Sequence, residues 1–194
     1  MEPTLVIYSH SSFLDIVEIT TDLLKKYKNK VLLIDENFNQ EENYKDNYVK
    51  ILKYKNKDPY ATRLHQIEKL DDEMIIFTHE VDLLIKYDAN ILNQFQNFMK
   101  ENNIDRIEFQ HCAPPCHIDK RKFCSKEEID FKDICKLYRT DNPEMIKYGY
   151  ALYNVNPAMW KKDSLLKLLK KYPHLGYKNI EPNPGITKDL AEMK

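Results

Sequence analysis

The chain has 194 residues, 42% of them hydrophobic and 31% charged, which is enough for one domain with a full core and short for two. Thirty basic residues against thirty-one acidic ones leave a formal net charge of −1, excluding a global electrostatic pull towards nucleic acid or an anionic membrane. Its three glycines, Gly149, Gly176 and Gly185, never share a turn. That excludes the dinucleotide fingerprint and the Walker loop, each of which needs several glycines in one short turn.

No apolar stretch approaches the length needed to span a bilayer, and Met1-Glu2-Pro3-Thr4 lacks the basic region and apolar segment of a secretory signal. The expectation is a cytoplasmic protein. Thr4 to Tyr8 is a β-branched, apolar run that reads as the first, central strand. After Ser9-His10-Ser11-Ser12 the spacing turns helical, with Ile16, Ile19, Leu23 and Tyr27 on the expected buried face and Ser12 and Asp15 as a capping box. Val31 to Ile34 completes a βαβ unit with Asp35 and Glu36 at its carboxyl end, and residues 37 to 47 read as an exposed polar loop. Tyr48 to Tyr54 alternates as a third, more exposed strand. Asp58-Pro59 then starts a helix with Pro at its first position and Tyr60, Leu64 and Ile67 inward. Arg63 lies off that face, as a solvated cation or as a phosphate contact.

Met74-Ile75-Ile76-Phe77 reads as a strand covered on both faces, and it breaks abruptly into Thr78-His79-Glu80-Val81-Asp82. Ligands collect where strands of an open α/β sheet end. Hard divalent cations such as Mg²⁺ or Mn²⁺ take oxygen ligands, often only one or two carboxylates with phosphates and water completing the shell. Glu80 and Asp82, with His79 beside them, are therefore candidate metal ligands; a solvated turn is the other reading of the same residues. Asp88 is expected to cap a helix carrying Ile91, Leu92, Phe95, Phe98 and Met99, and Arg106 to Phe109 to form a short strand. The order β-α-β-β-α-β-α-β argues for an α/β sandwich with a mostly parallel central sheet.

Residues 111 to 147 hold all four cysteines, Cys112, Cys116, Cys124 and Cys135, separated by three, seven and ten residues. The intervals depart from the paired short spacing of zinc ribbons and fingers, so structural zinc stands beside reduced, semi-buried thiols as a reading. Sheet character returns between Lys147 and Trp160, with a turn at Asn156-Pro157. Lys162-Asp163-Ser164 starts a helix with Leu165, Leu166, Leu168 and Leu169 inward, stopped by Pro173. The expected domain covers residues 1–181, and residues 182–194, rich in proline near Gly185, are expected to be a surface tail.

The segment Tyr153-Asn154-Val155-Asn156-Pro157-Ala158-Met159-Trp160-Lys161-Lys162-Asp163-Ser164-Leu165-Leu166 resembles one found in small nucleotide-sugar glycosyltransferases of the GT-A type, from capsule-polysaccharide clusters and large DNA viruses. Those proteins also have a strand ending in adjacent acids where His79-Glu80-Val81-Asp82 stands here, although Val81 separates the two acids in this chain. The resemblance runs from about residue 4 to residue 181 and implies a GT-A-like α/β/α sandwich. It implies a nucleotide-sugar donor, a glycan or other hydroxyl acceptor, and a Mn²⁺ or Mg²⁺ ion at Glu80, Asp82 and His79. Donor nucleotide contacts would fall on Tyr8, Ser9, His10, Asp35 and Arg63. Glu181 would be a catalytic base or a structural or acceptor-binding carboxylate, and Trp160 a core aromatic or an acceptor-side pocket wall. A second class stays open: a non-catalytic α/β binding or scaffold module, zinc-stapled through the cysteine-rich segment.

Overall fold

The computed structural model describes residues 2–80, 88–109, 128–131, 135–138 and 157–193. In chain order these form β1 (Thr4–Tyr8), α1 (Leu14–Leu23), β2 (Lys30–Asp35), α2 (Glu41–Tyr44), β3 (Lys50–Tyr54) and α3 (Tyr60–Arg63), the last continued by a 3-10 segment Leu64–Lys69. There follow β4 (Met74–His79), α4 (Ala89–Glu101), β5 (Arg106–Glu108), β6 (Glu128–Phe131) and β7 (Cys135–Tyr138). The chain closes with β8 (Ala158–Lys161), α5 (Lys162–Lys171), α6 (Tyr177–Ile180) and α7 (Pro184–Glu192). No helix among the described residues is long and apolar enough to cross a membrane.

Six strands make one mixed sheet in the order β3-β2-β1-β4-β8-β5, and β6 pairs with β7 as a separate antiparallel hairpin. The pairings β1 with β2, β2 with β3 and β1 with β4 are parallel, whereas β8 lies antiparallel between β4 and β5. The expectation of a mostly parallel sheet thus describes its β3-β2-β1-β4 half. Every residue of β1, β2 and β4 is buried, as apolar runs covered by helices on both faces require. Val6, Val31, Ile75, Phe77 and Trp160 face one core with the leucines of α5. Leu5, Leu32, Ile76 and Met159 face another with Val17 of α1 and Phe95 and Met99 of α4.

Several elements fall as their residues dictate. The Asp88 side chain accepts from Asn90 and Ile91 N–H and caps α4, and the four leucines of α5 are buried. Other expectations need correction. The buried face of α1 is Val17, Thr20, Thr21, Leu24 and Tyr27, while Ile19 and Leu23 are exposed. The threonines can go inside because their hydroxyls are satisfied: Thr21 Oγ1 donates to Val17 O at 2.7 Å, and Thr20 Oγ1 to Glu80 O at 3.2 Å. Ser12 and Asp15 form no capping box; the N-cap of α1 is Phe13, without a side-chain bond, and the His10 ring caps the preceding 3-10 turn. Of the sheet character expected between Lys147 and Trp160, residues 147–156 lie outside the described residues, and β8 carries Trp160 itself. Residues 182–194 are no tail, because Asn183 caps α7, and Ile186 and Leu190 enter the same core as α5. Asn183-Pro184 supplies the cap and a proline in the first turn, a start that composition alone disguises as loop.

Candidate functional site at the carboxyl edge of the sheet

From β1 the chain builds outward through β2 and β3, then returns to place β4 on the other side of β1. The strand order reverses there, so the crevice beyond the carboxyl ends of β1 and β4 is the topological switch point at which such sheets take ligands. Tyr8, Ser9, His10, Asp35, Tyr54, His79 and Glu80 stand at these strand ends.

Asp35 ends β2 with no exposed surface. Its Oδ2 accepts from Ser11 N at 2.5 Å, and its Oδ1 accepts from Ser11 Oγ at 3.0 Å, Asn37 N at 3.0 Å and Asn56 Nδ2 at 3.2 Å. Burial pushes this carboxyl up, but the bonds from Ser11 and Asn37 outweigh it and leave the group below its ordinary value. The carboxylate is spent on the chain's own donors and sets the shape of the loop after β1. In that loop His10 Nδ1 accepts from Ser12 N at 3.1 Å, so the neutral ring carries its proton on Nε2. Ser9 is buried, and its Oγ has no hydrogen-bond partner among the described residues.

The other side of the crevice is aromatic. Tyr8 stacks on Tyr54 with centroids 5.2 Å apart and meets Tyr60 edge to face at 5.2 Å. Arg63 lies over the Tyr54 ring at 5.1 Å. Its Nε donates to Asp58 O at 2.8 Å, Nη1 to Tyr8 Oη at 3.2 Å and Nη2 to Asn56 O. Three guanidinium N–H groups are thereby engaged, which fixes the fork. Arg63 is thus the orienting cation of this wall and no longer reads as a loose solvated side chain.

His79 belongs to the same wall. Its Nε2 lies 2.6 Å from Tyr60 Oη, its ring centroid is 4.9 Å from that of Tyr8, and burial lowers its pKa to about 4. The ring is therefore neutral at pH 7, and with Nε2 engaged only Nδ1 is left to meet an ion. Successive strand side chains alternate between faces. The chain leaves His79 towards α1, where Thr20 holds the Glu80 carbonyl, and the contacts of His79 are with the opposite face. Glu80 is 7% exposed. Asp82 lies outside the described residues, and among the described residues no three His, Cys, Asp or Glu side chains group to hold an ion. A site completed by phosphate and water fits, since it needs one or two carboxylates and Glu80 stands at the strand end.

Trp160 is 2% exposed, pairs across the sheet with Ile75, and carries Arg106 over its ring at 4.9 Å. Of its two readings the core one describes its place. Glu181 is half-buried at the end of α6, in helical conformation, one turn past Tyr177. Tyr177 in turn meets Tyr60 at 5.3 Å and His79 at 5.6 Å, so the wall gathers Tyr8, Arg63, His79 and Tyr177. Of the cysteines, Cys112, Cys116 and Cys124 lie outside the described residues, and Cys135 is placed only as the first residue of β7. Sequence reasoning missed Tyr54, Tyr60 and Tyr177 as walls of the site. Tyr54 and Tyr60 fit the strand and helix periods of core residues, and only the sheet order brings all three together.

Compared with known proteins, the sequence matches no family model and no curated protein.

Proposed function

We propose that the chain is a metal-dependent glycosyltransferase of GT-A type, transferring a sugar from a nucleotide diphosphate sugar to a hydroxyl of a glycan or other acceptor. The observation that carries this reading is that the strand order reverses between β1 and β4, with Tyr8, held by Arg63, at the end of one and the buried Glu80 just past the end of the other. A nucleotide asks for fixed donors, and its diphosphate leaving group asks for cationic and metal-bound charge.

In this reading the guanidinium of Arg63 meets the phosphates, with the fork prevented from swinging by Tyr8, Asp58 and Asn56. Asp35 acts through Ser11 as a positioning residue that holds the loop after β1 in the shape the nucleotide meets. Glu80 with Asp82 would hold Mn²⁺ or Mg²⁺, which neutralises the diphosphate as the bond from sugar C1 to oxygen breaks. For an inverting transfer the acceptor oxygen bonds to C1 as its proton passes to a carboxylate, and Glu181 is the residue assigned that role.

The test is transfer or hydrolysis of a radiolabelled nucleotide sugar by the wild type and by the double variant Glu80→Ala, Asp82→Ala. A fall of about a hundredfold or more is expected when the ion's carboxylates go. Turnover unchanged in the double variant would remove the ion from this strand end.

A further inference from the structure

We infer that Tyr177 is a stacking platform for a pyranose ring, making the α6 side of the crevice the subsite for a neutral sugar acceptor. The aromatic wall is otherwise sealed: Tyr54 is 1% exposed, Tyr60 2% and Tyr8 8%, whereas Tyr177, on the same wall, is 49% exposed. Helix α6 is also anchored by Ile180, which is fully buried. Tyr177 is nonetheless held in place, at 84° to Tyr60 and beside His79, and those two are tied together at 2.6 Å. A ring pre-positioned in this way loses little freedom when a ligand lies against it.

The chemistry selects a sugar. A pyranose presents a patch of polarised C–H groups on its face and hydroxyls around its rim, and an aromatic face carries the negative side of its quadrupole. Glu181 continues the helical turn with φ −64° and ψ −50°, so its Cα follows Tyr177 at the i, i+4 spacing that puts two side chains side by side. A carboxylate there accepts from rim hydroxyls while the ring takes the apolar face. The role as acceptor subsite rests on the glycosyl-transfer reading; the ring-stacking contact itself does not.

The experiment is saturation-transfer NMR on the full chain with the methyl glycosides of glucose, galactose, mannose and N-acetylglucosamine, with UDP and Mn²⁺ present and absent. The C–H protons of at least one glycoside should receive saturation, with affinity about tenfold weaker in Tyr177→Ala and within about threefold of wild type in Tyr177→Phe. In the intact protein, irradiating the Tyr177 ring signals, identified by their absence from Tyr177→Phe, should transfer to the same protons. No transfer to any of the four in either condition, or undiminished transfer in a folded Tyr177→Ala, overturns the platform. Stabilisation by nucleotide without any glycoside signal removes the platform and leaves glycosyl transfer standing. Tyr177-dependent glycoside binding with no nucleotide effect upholds the stacking contact and removes glycosyl transfer.

Discussion

Two acids stand at the carboxyl ends of the two strands that flank β1, in different settings. Asp35, closing β2, is fully buried and receives four hydrogen bonds from Ser11, Asn37 and Asn56. Glu80, just past β4, is also buried, yet it stands at the crevice where the strand order reverses. A carboxylate surrounded by the chain's own donors holds structure; one set at a switch point stands where ligands of such sheets collect. The difference teaches that the place of an acid in the sheet order matters beside its partners, and residue type alone does not decide its role.

Removing what supports the β4 end should have the largest effect. Trp160→Ala should cost about 3–5 kcal/mol in urea denaturation, the range for deleting a buried aromatic. A loss under about 1 kcal/mol would return Trp160 to the pocket wall and weaken the division between scaffold and site. Asp35→Asn comes next, at about 2–3 kcal/mol, because donors that met a charged acceptor then meet a neutral amide.

The two ends also differ in how they titrate. His79 has a folded pKa of about 4 against an ordinary 6.5, so the unfolded chain binds the extra proton and stability falls as the pH drops from about 6.5 to 4. Asp35, whose folded value lies below 3.8, contributes stability that is fully present above that value and is lost as the pH falls through it towards the folded pKa. Melts across this range should therefore show two limbs. His79→Gln should flatten the upper limb and Asp35→Asn the lower; the same limb lost in both variants would show that the two ends are not separate.

A smaller effect is expected at α7, which helps seat the α5–α6 side of the site. A Cβ on Gly185 would stand 2.6 Å from the Tyr172 hydroxyl, which donates to Asp189 at 2.9 Å. Gly185→Ala should displace the tyrosine and cost about 1 kcal/mol by thermal denaturation. A neutral result would mean that the Tyr172 ring moves aside without losing Asp189.

How much of this was legible follows from particular residues. β1, β2 and β4 were readable because both their faces are apolar, and α5 because Leu165, Leu166, Leu168 and Leu169 keep helical spacing. The face of α1 was not, because Thr20 and Thr21 are polar by type and go inside only when Glu80 O and Val17 O accept their hydroxyls, bonds that exist after folding. The antiparallel insertion of β8 carries no local signature, since a strand's period says nothing about its direction. Within the site, the acidic strand end was visible as residue types, whereas the tying of Arg63 to Tyr8, and of His79 to Tyr60, depends on partners 55 and 19 residues away.

Least expected to disturb the fold is Glu80→Gln, and it bears most directly on the assignment of the β4 end. The decisive measurement is thermal shift of wild type and Glu80→Gln with UDP, GDP, CMP and dTDP sugars, each with and without Mn²⁺. Saturation at a hundred times the dissociation constant stabilises by about 2.7 kcal/mol, a rise of several degrees for a chain of this size. The account predicts a rise with one nucleotide class, dependent on Mn²⁺, and its loss in Glu80→Gln at a ligand-free Tm within about 2 °C of wild type. No rise with any of the sugars in folded wild type, or a metal-dependent rise that survives Glu80→Gln, would contradict it.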